Sequence, residues 1–481
     1  MIKKFFLFLL LLFLVVIGIV LFNTFRFQPN QQAVESVPAP ELTEASLQHF
    51  QQALSYKTIS YGDPSLFDST QFIGLRQFLE STYPKAHQVL TREIVAGYSL
   101  LYKWEGKNAD LKPVVLMAHQ DVVPIEEATK SMWTVDPFAG VIKDNFIWGR
   151  GTTDDKINVV SIMETVEKLV SENFQPERTV YIVFGHDEEI GGKGATAIAK
   201  LLKDRNIAAE FVLDEGGLIT AEKVPGMTKP IALLGTAEKG YLSLKLTVSL
   251  PGGHSSMPEK ETAIDVLAKA LNTLRSKPFE PEFSEPMHGL MESLGPEMPF
   301  VQRMAFANPW LFKKMILSTY SQSNTGDAMI RTTIVPTIIE AGIKDNVVPT
   351  VATAVVNFRL LPGHTSDQVI EEVKKKINDE RVNVAPLNKN VSEPSPVTPI
   401  NGFGYQKIAG TIKKSYPQVI TSPFLVIGAT DSRHFTEVSS NIIKFSPMID
   451  PIGFHGIDER VSLESYKTAL WFYEQLLRDL N

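Results

Sequence analysis

Val114-Val115-Leu116-Met117-Ala118-His119-Gln120-Asp121 is a short apolar run that stops at a cluster of metal-type ligands. Apolar residues in a row, without alternation, read as a strand buried on both faces. Three more places follow the same grammar. Trp148 to Thr153 leads into Asp154-Asp155-Lys156, at the start of a helix whose Ile157, Val160, Met163, Val166 and Val170 recur at helical spacing. Val183-Phe184-Gly185-His186-Asp187 leads into Glu188-Glu189, and Phe211-Val212-Leu213 ends in Asp214-Glu215-Gly216-Gly217. Strands that alternate with helices predict a mainly parallel α/β sheet. Ligands gather at the carboxyl ends of such strands, so segments far apart in sequence are expected to converge. Each piece alone has a plainer reading, because His-x-Asp is often a surface pair and Asp-Asp at a helix start is often capping. Their shared position after a strand favours a site. Phe454-His455-Gly456-Ile457-Asp458-Glu459 adds a further imidazole in a glycine-containing loop.

From about Glu238 the texture changes. Leu242, Leu244, Leu246, Val248 and Leu250 alternate strictly with other residues, which marks a half-buried strand. A helix over about 261–276 follows, then a long Pro-rich and aromatic-rich stretch. Strands over about 332–341 and 352–361, a helix from Thr365 and a short strand near 381–385 complete β-α-β-β-α-β, a ferredoxin-like order. Beyond Val397 the α/β texture returns and ends in a helix over 463–480. The simplest organisation is a catalytic domain of residues 41–237 and 393–481, interrupted by a smaller α+β domain of residues 238–392.

Lys3 and Lys4 precede eighteen uninterrupted apolar residues, Phe5 to Phe22. That run is long enough to cross a hydrocarbon core of roughly 30 Å with help from its flanks. Residues 1–27 are therefore expected to be a transmembrane signal anchor, with lysines in the cytoplasm and everything else outside, periplasmic or extracellular. A cleavable signal peptide, which would make the protein secreted, is the rival reading; bulky Phe25 and Phe27 stand where cleavage prefers small residues. Residues 28–40, rich in Gln, Pro and Ala, read as a tether.

The 481 residues carry a net charge of −7 with no basic cluster, which excludes a nucleic-acid surface. No cysteine is present, so thiolate ligands and disulfides are excluded and a metal must rest on His and carboxylates.

His119-Gln120-Asp121, Gly149 to Lys156, Asp187-Glu188-Glu189, Asp214 and His455 to Glu459 together resemble the motif series of M20 metallopeptidases. The resemblance continues through Gly252-Gly253-His254-Ser255-Ser256, Asn346 to Pro349, Asn357-Phe358-Arg359 and Gly428 to Arg433, nearly everything after the tether. Gly185-His186-Asp187-Glu188-Glu189 and the length are most similar to the branch holding carboxypeptidase S and the secreted N-fatty-acyl-amino-acid synthase/hydrolase.

The resemblance implies two Zn²⁺, with Co²⁺ or Mn²⁺ as substitutes, in the catalytic domain and a lid or dimerisation role for the inserted one. His119, Asp154 and Asp214 would hold one metal, and His455, Asp154 and Glu189 the other. A shared carboxylate offsets the repulsion of two cations about 3.5–4 Å apart. Asp121 would accept the second imidazole N–H of His119. Glu188 would be the general base toward a hydroxide held between the metals. Arg359, Asn346 and Gly428 would bind the substrate carboxylate, and His254 would stabilise the oxyanion, reaching a partner's site in dimeric relatives. Asn357 stands where the family usually has Asp, and Ala429 where a Gly is commoner. His49, His87, His288 and His364 are expected to be structural, while His186 and His434 stand close enough to the motifs to support them.

The expected reaction is cleavage of an amide bond beside a free carboxylate, in an N-acyl amino acid or at the C-terminus of a peptide. A di- or tripeptidase uses the same centre, and a metal-free binding protein on a dead scaffold is the reading from another class. Phe300, Met304, Phe306, Trp310, Leu311, Phe312, Met315 and Leu317 either pack within the lid or a homodimer interface, or line an acyl channel beside the anchor.

Overall fold

The computed structural model describes residues 2–29, 37–221, 223–224, 226–388 and 391–480, so most of the expected tether lies outside the described residues. A nine-stranded sheet forms the centre of the larger unit. Its strands run in the order Thr91–Val95, Ser99–Trp104, Val180–Gly185, Val114–His119, Val212–Asp214, Ile442–Lys444, Ile231–Glu238 and Ile420–Val426, with Ile219–Thr220 beside Ile231–Glu238. Val114–His119 is parallel to both neighbours, and Ile442–Lys444 is parallel to Val212–Asp214.

The sheet is mixed, which corrects the expectation of a mainly parallel one. Thr91–Val95 and Ser99–Trp104 form a hairpin that joins Val180–Gly185 antiparallel, and Ile442–Lys444 meets Ile231–Glu238 antiparallel. Apolar pattern reports burial, whereas direction depends on how each connection crosses the sheet. The central strand is buried at every position, and its side chains sort by face with period two. Leu116 and Ala118 join a core with Phe50, Ile157, Met163, Tyr466 and Phe472; Val115 and Met117 join another with Ile198, Leu202 and Phe435. Lys156–Ser171 and Leu463–Arg478 therefore cover one face, and Lys193–Asp204 the other.

A second, wholly antiparallel sheet has the order Thr333–Ala341, Val351–Leu360, Gly240–Ser249, Val382–Pro386. Numbered along the chain, that is second, third, first, fourth, the ferredoxin-like order. Leu242, Leu244, Leu246 and Val248 face Val266, Leu267, Val369 and Val373 of the helices Ala263–Ser276 and Ser366–Ile377. Thr262 and Thr365 start those helices with reciprocal capping boxes.

Only Lys239 separates the two sheets, between Ile231–Glu238 and Gly240–Ser249. The returning chain lies alongside: Ser395 N–H donates to Glu238 O at 3.1 Å, Thr398 N–H to Thr236 O at 2.8 Å, and Ser392 N–H to Tyr241 O at 2.9 Å.

The Pro-rich stretch folds into four helices, Glu285–Leu294, Phe300–Ala307, Pro309–Tyr320 and Asn324–Ile330. They close around Met287, Leu290, Ile316, Leu317 and Ile330. The N-terminal helix, Ile2–Arg26, is long and apolar enough for a signal anchor or a signal peptide, and nearly all of it is exposed except where its last turns meet this helical insert.

Candidate metal centre

Strand ends supply the site. His119 closes Val114–His119, Asp187-Glu188-Glu189 follows Gly185, and Asp214 closes Val212–Asp214. Asp154 arrives from a glycine-rich loop that Glu459 holds in place. The buried Glu459 carboxylate accepts from Gly151 N–H at 3.0 Å, from Thr153 N–H and hydroxyl at 2.8 Å each, and from Arg150. One glutamate thus fixes the approach of Asp154 and ties it to the loop carrying His455.

Asp154 lies between two imidazoles. Its Oδ1 is 2.7 Å from His119 Nε2 and its Oδ2 is 2.6 Å from His455 Nε2. Glu189 Oε1 lies 3.3 Å from the same His455 nitrogen, and Glu215 Oε1 lies 3.4 Å from His119 Nε2. Asp121 works from behind. His119 Nδ1 meets the Asp121 backbone carbonyl at 3.0 Å and Oδ1 at 3.3 Å, and the two Asp121 carboxylate oxygens accept the Glu188 and Glu189 N–H groups at 3.2 Å each. One residue, through its carbonyl and its carboxylate, therefore orients both an imidazole and the turn bearing Glu188.

The charges do not balance among protein groups alone. Burial, then repulsion from Asp431, Glu189 and Asp121, pushes Glu188 well above the usual carboxylate range. Burial and acidic neighbours also raise Asp155, Glu189, Glu215 and Asp431. Burial opposes charge on His119, but Glu215, Asp154 and Asp121 outweigh it and hold the imidazole well above its ordinary range. His455 is raised to about 10, first by its bond to Asp154 and then by Glu189. Among the described residues both Asp431 oxygens are buried without a hydrogen-bond partner, and the buried Glu189 Oε1 has only the 3.3 Å approach of His455. Crowded carboxylates, two imidazoles and an orphaned carboxylate oxygen are a donor set that suits a divalent cation. Among the described residues, the groups compact enough to hold one are His119, Asp154 and Glu189, and His119, Asp155 and Glu215.

Asp214 is not in either group. Its Oδ2 accepts the Ser432 N–H at 2.8 Å, on the side of the sheet end facing Asp431. Glu215 was not singled out by sequence; the pairing Asp214-Glu215 was the available signal, and only side-chain direction tells the two apart. Gly428 lines a cleft of about 320 Å³ together with Asp154, Glu188, Glu189, Glu215 and His455. The rest of the lining is largely apolar, with Leu218, Phe424, Ile427, Met448 and Phe454.

Arg359, Asn346 and His254 are not among the residues lining this cleft. Arg359 stacks over the Tyr241 ring at 4.9 Å. His254 and Asn346 are exposed together where Gly253–His254 pairs with Val347–Val348, and Ser255 N–H donates to Asn346 O at 3.2 Å. The other histidines have local partners: His49 meets Glu164, His87 meets Tyr102, and His364 meets Glu282 and Thr332. The His288 ring packs edge-on against Phe283. His186 pairs with Ser99 at 2.7 Å beside Asp187, whose carboxylate caps Lys193–Asp204. His434 accepts from Arg433 at 3.2 Å.

Residues 115–479 match the family described as Peptidase family M20/M25/M40. The chain belongs to peptidase family M20. M20 is a metal-dependent hydrolase family, in keeping with the donor set around Asp154. Among curated M20 relatives, the "Probable carboxypeptidase S-like 2" of Dictyostelium discoideum is 41% identical over 483 residues, covering 96% of this chain and 92% of the relative. The "N-fatty-acyl-amino acid synthase/hydrolase PM20D1" of Homo sapiens is 37% identical over 437 residues, covering 89% of this chain and 86% of the relative. Among solved structures, the M20 family metallo-carboxypeptidase Sso-CP2 from Sulfolobus solfataricus superposes with a TM-score of 0.67 at 19% identity, over 91% of this chain and 99% of that one. That last likeness concerns the fold.

Proposed function

We propose that this M20 enzyme hydrolyses the amide bond of N-acyl amino acids, with peptide C-termini as the neighbouring substrate class, using two zinc ions. The observation that carries the reading is Asp154, whose two oxygens each face a different histidine while Glu189 and Glu215 stand on the two outer sides. His119, Asp154 and Asp214 would hold one ion, and His455, Asp154 and Glu189 the other. Zinc bound there supplies Lewis-acid polarisation of the amide carbonyl and lowers the pKa of water.

The chain's own residues do the rest. Glu188 takes a proton from the attacking water and returns it to the leaving nitrogen. Asp121 fixes the His119 tautomer and the Glu188 turn together. The apolar wall of Phe424, Ile427 and Met448 receives the acyl side of the amide and keeps water from it. The carboxylate side falls to Gly428 and to the inserted domain, where Arg359 offers a planar fork. His254 and Asn346 share one exposed tip, which suits completion of a second copy's cleft in a homodimer through that domain. Ile2–Arg26 serves as a membrane anchor, with the catalytic unit outside the cytoplasm.

The test is Glu188→Gln. The variant should retain its metal while kcat falls by about 10²–10⁴-fold. Near-normal kcat with metal bound would remove Glu188 from the reaction. A hydrolysis screen with added zinc, running from N-acetyl to N-oleoyl amino acids and through dipeptides, separates the acyl and peptide readings. A kcat/KM that rises with acyl length supports the apolar wall, and a preference for dipeptides overturns it.

A further inference from the structure

We propose that the helical insert is itself a membrane-docking element, whose helices Phe300–Ala307 and Pro309–Tyr320 lie on an anionic lipid surface beside the N-terminal helix. This deepens the anchor reading above and rests on it.

The first observation is a polar socket between the two. Asn308, fully buried, accepts from Asn23 Nδ2 at 2.9 Å and donates to the Val20 carbonyl at 3.2 Å. Thr24, also fully buried, faces the same amide. Nearby, the Phe25 ring lies 6.1 Å from Phe300, and Phe27 packs onto Gly295, where an added Cβ would come within 2.5 Å of its ring. Buried amides need their partners, so Asn308 specifies where this apolar helix binds. The helix is seated on the insert over Val20–Phe27.

Length then sets depth. Residues 5–19, the apolar part free of the socket, span about 22 Å at 1.5 Å per residue, and with Lys3 and Lys4 snorkelling to the cytoplasmic interface they cross most of a hydrocarbon core of roughly 30 Å. The seated turns, and the insert with them, come to the level of the headgroups.

Composition at that level fits. Val301 is 63% exposed and Trp310 58%, with Phe300, Leu311 and Met315 exposed beside them. Aromatic and apolar side chains on the outer face of an interfacial helix enter the boundary between headgroup and acyl chain. From Met298 to Tyr320 the only charges are Arg303, Lys313 and Lys314, with Arg26 at the end of the anchor, on a chain whose net charge is −7. A second copy docked through this same face would set these cations against their own equivalents, whereas an anionic lipid surface pairs with them. The insert's apolar cluster, which includes Phe306 and Phe312, also takes in Phe424 and Ile427 of the cleft wall. Docking would thus place the acyl side of the cleft toward the lipid.

The chain has no cysteine, so single introduced thiols report without background. Val301→Cys, Leu311→Cys, Leu12→Cys and the distant Lys200→Cys would each carry an environment-sensitive dye on the full chain, reconstituted into vesicles of equal parts phosphatidylcholine and phosphatidylglycerol. Headgroup-level nitroxide lipids should quench the dyes at 301 and 311 by about half, acyl-chain nitroxides should quench the dye at 12, and position 200 should stay unaffected. Quenching at 12 without quenching at 301 and 311 overturns docking and leaves the anchor standing. No quenching at 12 overturns the anchor and docking with it. A blue shift at 301 and 311 without lipid quenching means that protein, not lipid, covers the patch, and also overturns it. Equal quenching in pure phosphatidylcholine overturns the anionic preference.

Discussion

At the scale of single residues, the open assignment is which carboxylate completes the His119 side of the centre. Asp214 is committed through Oδ2 to the Ser432 N–H, while Glu215 faces His119 at 3.4 Å. A carboxylate anchored by one oxygen keeps the other for a metal, and the anchor fixes its direction, so Asp214 is the expected ligand. Asp214→Ala should therefore lose one metal ion per chain by elemental analysis, whereas Glu215→Ala should keep both and lose activity modestly. The opposite pattern reassigns the ligand to Glu215. The positions of His119, Glu188, Glu189 and Asp154 were legible in sequence because each follows a strand or opens a helix, and strand ends gather. Glu215 and the unpartnered Asp431 were not. The pairing Asp214-Glu215 and the motif around Asp431 were visible, but which carboxylate faces His119 depends on side-chain direction, which sequence does not carry. The supporting work of Glu459 was half visible, since it stands in the loop of His455 but gives no sign of reaching Gly151 and Thr153.

At the scale of elements, the joint at Lys239 has a price in charge. Lys239 is buried, and its ammonium donates to the Ala328 and Arg331 carbonyls at 2.8 and 2.7 Å, where the last helix of the insert ends. Burial, then the nearby Arg359, lowers it from 10.5 to about 7. Between those values the unfolded chain binds more protons than the folded one, so stability rises with pH across that window. Below about pH 7 the cost of burying the charge is fully present. The wild-type Tm should climb between pH 7 and 9 relative to Lys239→Met, and parallel Tm curves for the two proteins would refute this. Strict alternation revealed the strand Gly240–Ser249, and both helices on its sheet were expected, over about 261–276 and from Thr365. The four helices between Glu285 and Ile330 escaped; prolines in the first turns of Glu285–Leu294 and Pro309–Tyr320 resemble loop composition, although proline is well tolerated there. Strand direction escaped as well, because burial patterns are blind to polarity.

At the scale of the whole molecule, the metal should hold together more than chemistry. His119, Asp154, Glu189, Asp214 and His455 come from separate strands and loops of the large unit, so a cation that neutralises them bridges distant parts of the chain. Chelation should lower Tm, and restoring zinc at a hundredfold excess over its Kd should return about 2.7 kcal/mol of stability. Calorimetry showing equal Tm with and without chelator would mean that the acidic cluster is held by protein contacts alone.

The narrow joint between the two sheets also has a mechanical side. Two antiparallel chain segments, around Glu238–Tyr241 and Ser392–Thr398, cross it together, and a paired ribbon flexes across its face far more readily than along its width. Gly240–Ser249 then acts as a lever arm: ten residues at about 3.3 Å each reach about 33 Å from the fulcrum toward His254. A turn of about 10° at Lys239 would sweep that tip through roughly 6 Å, two hydrogen-bond lengths, with little change to either sheet. Positional precision at His254 is thus governed by stiffness at a residue far from it.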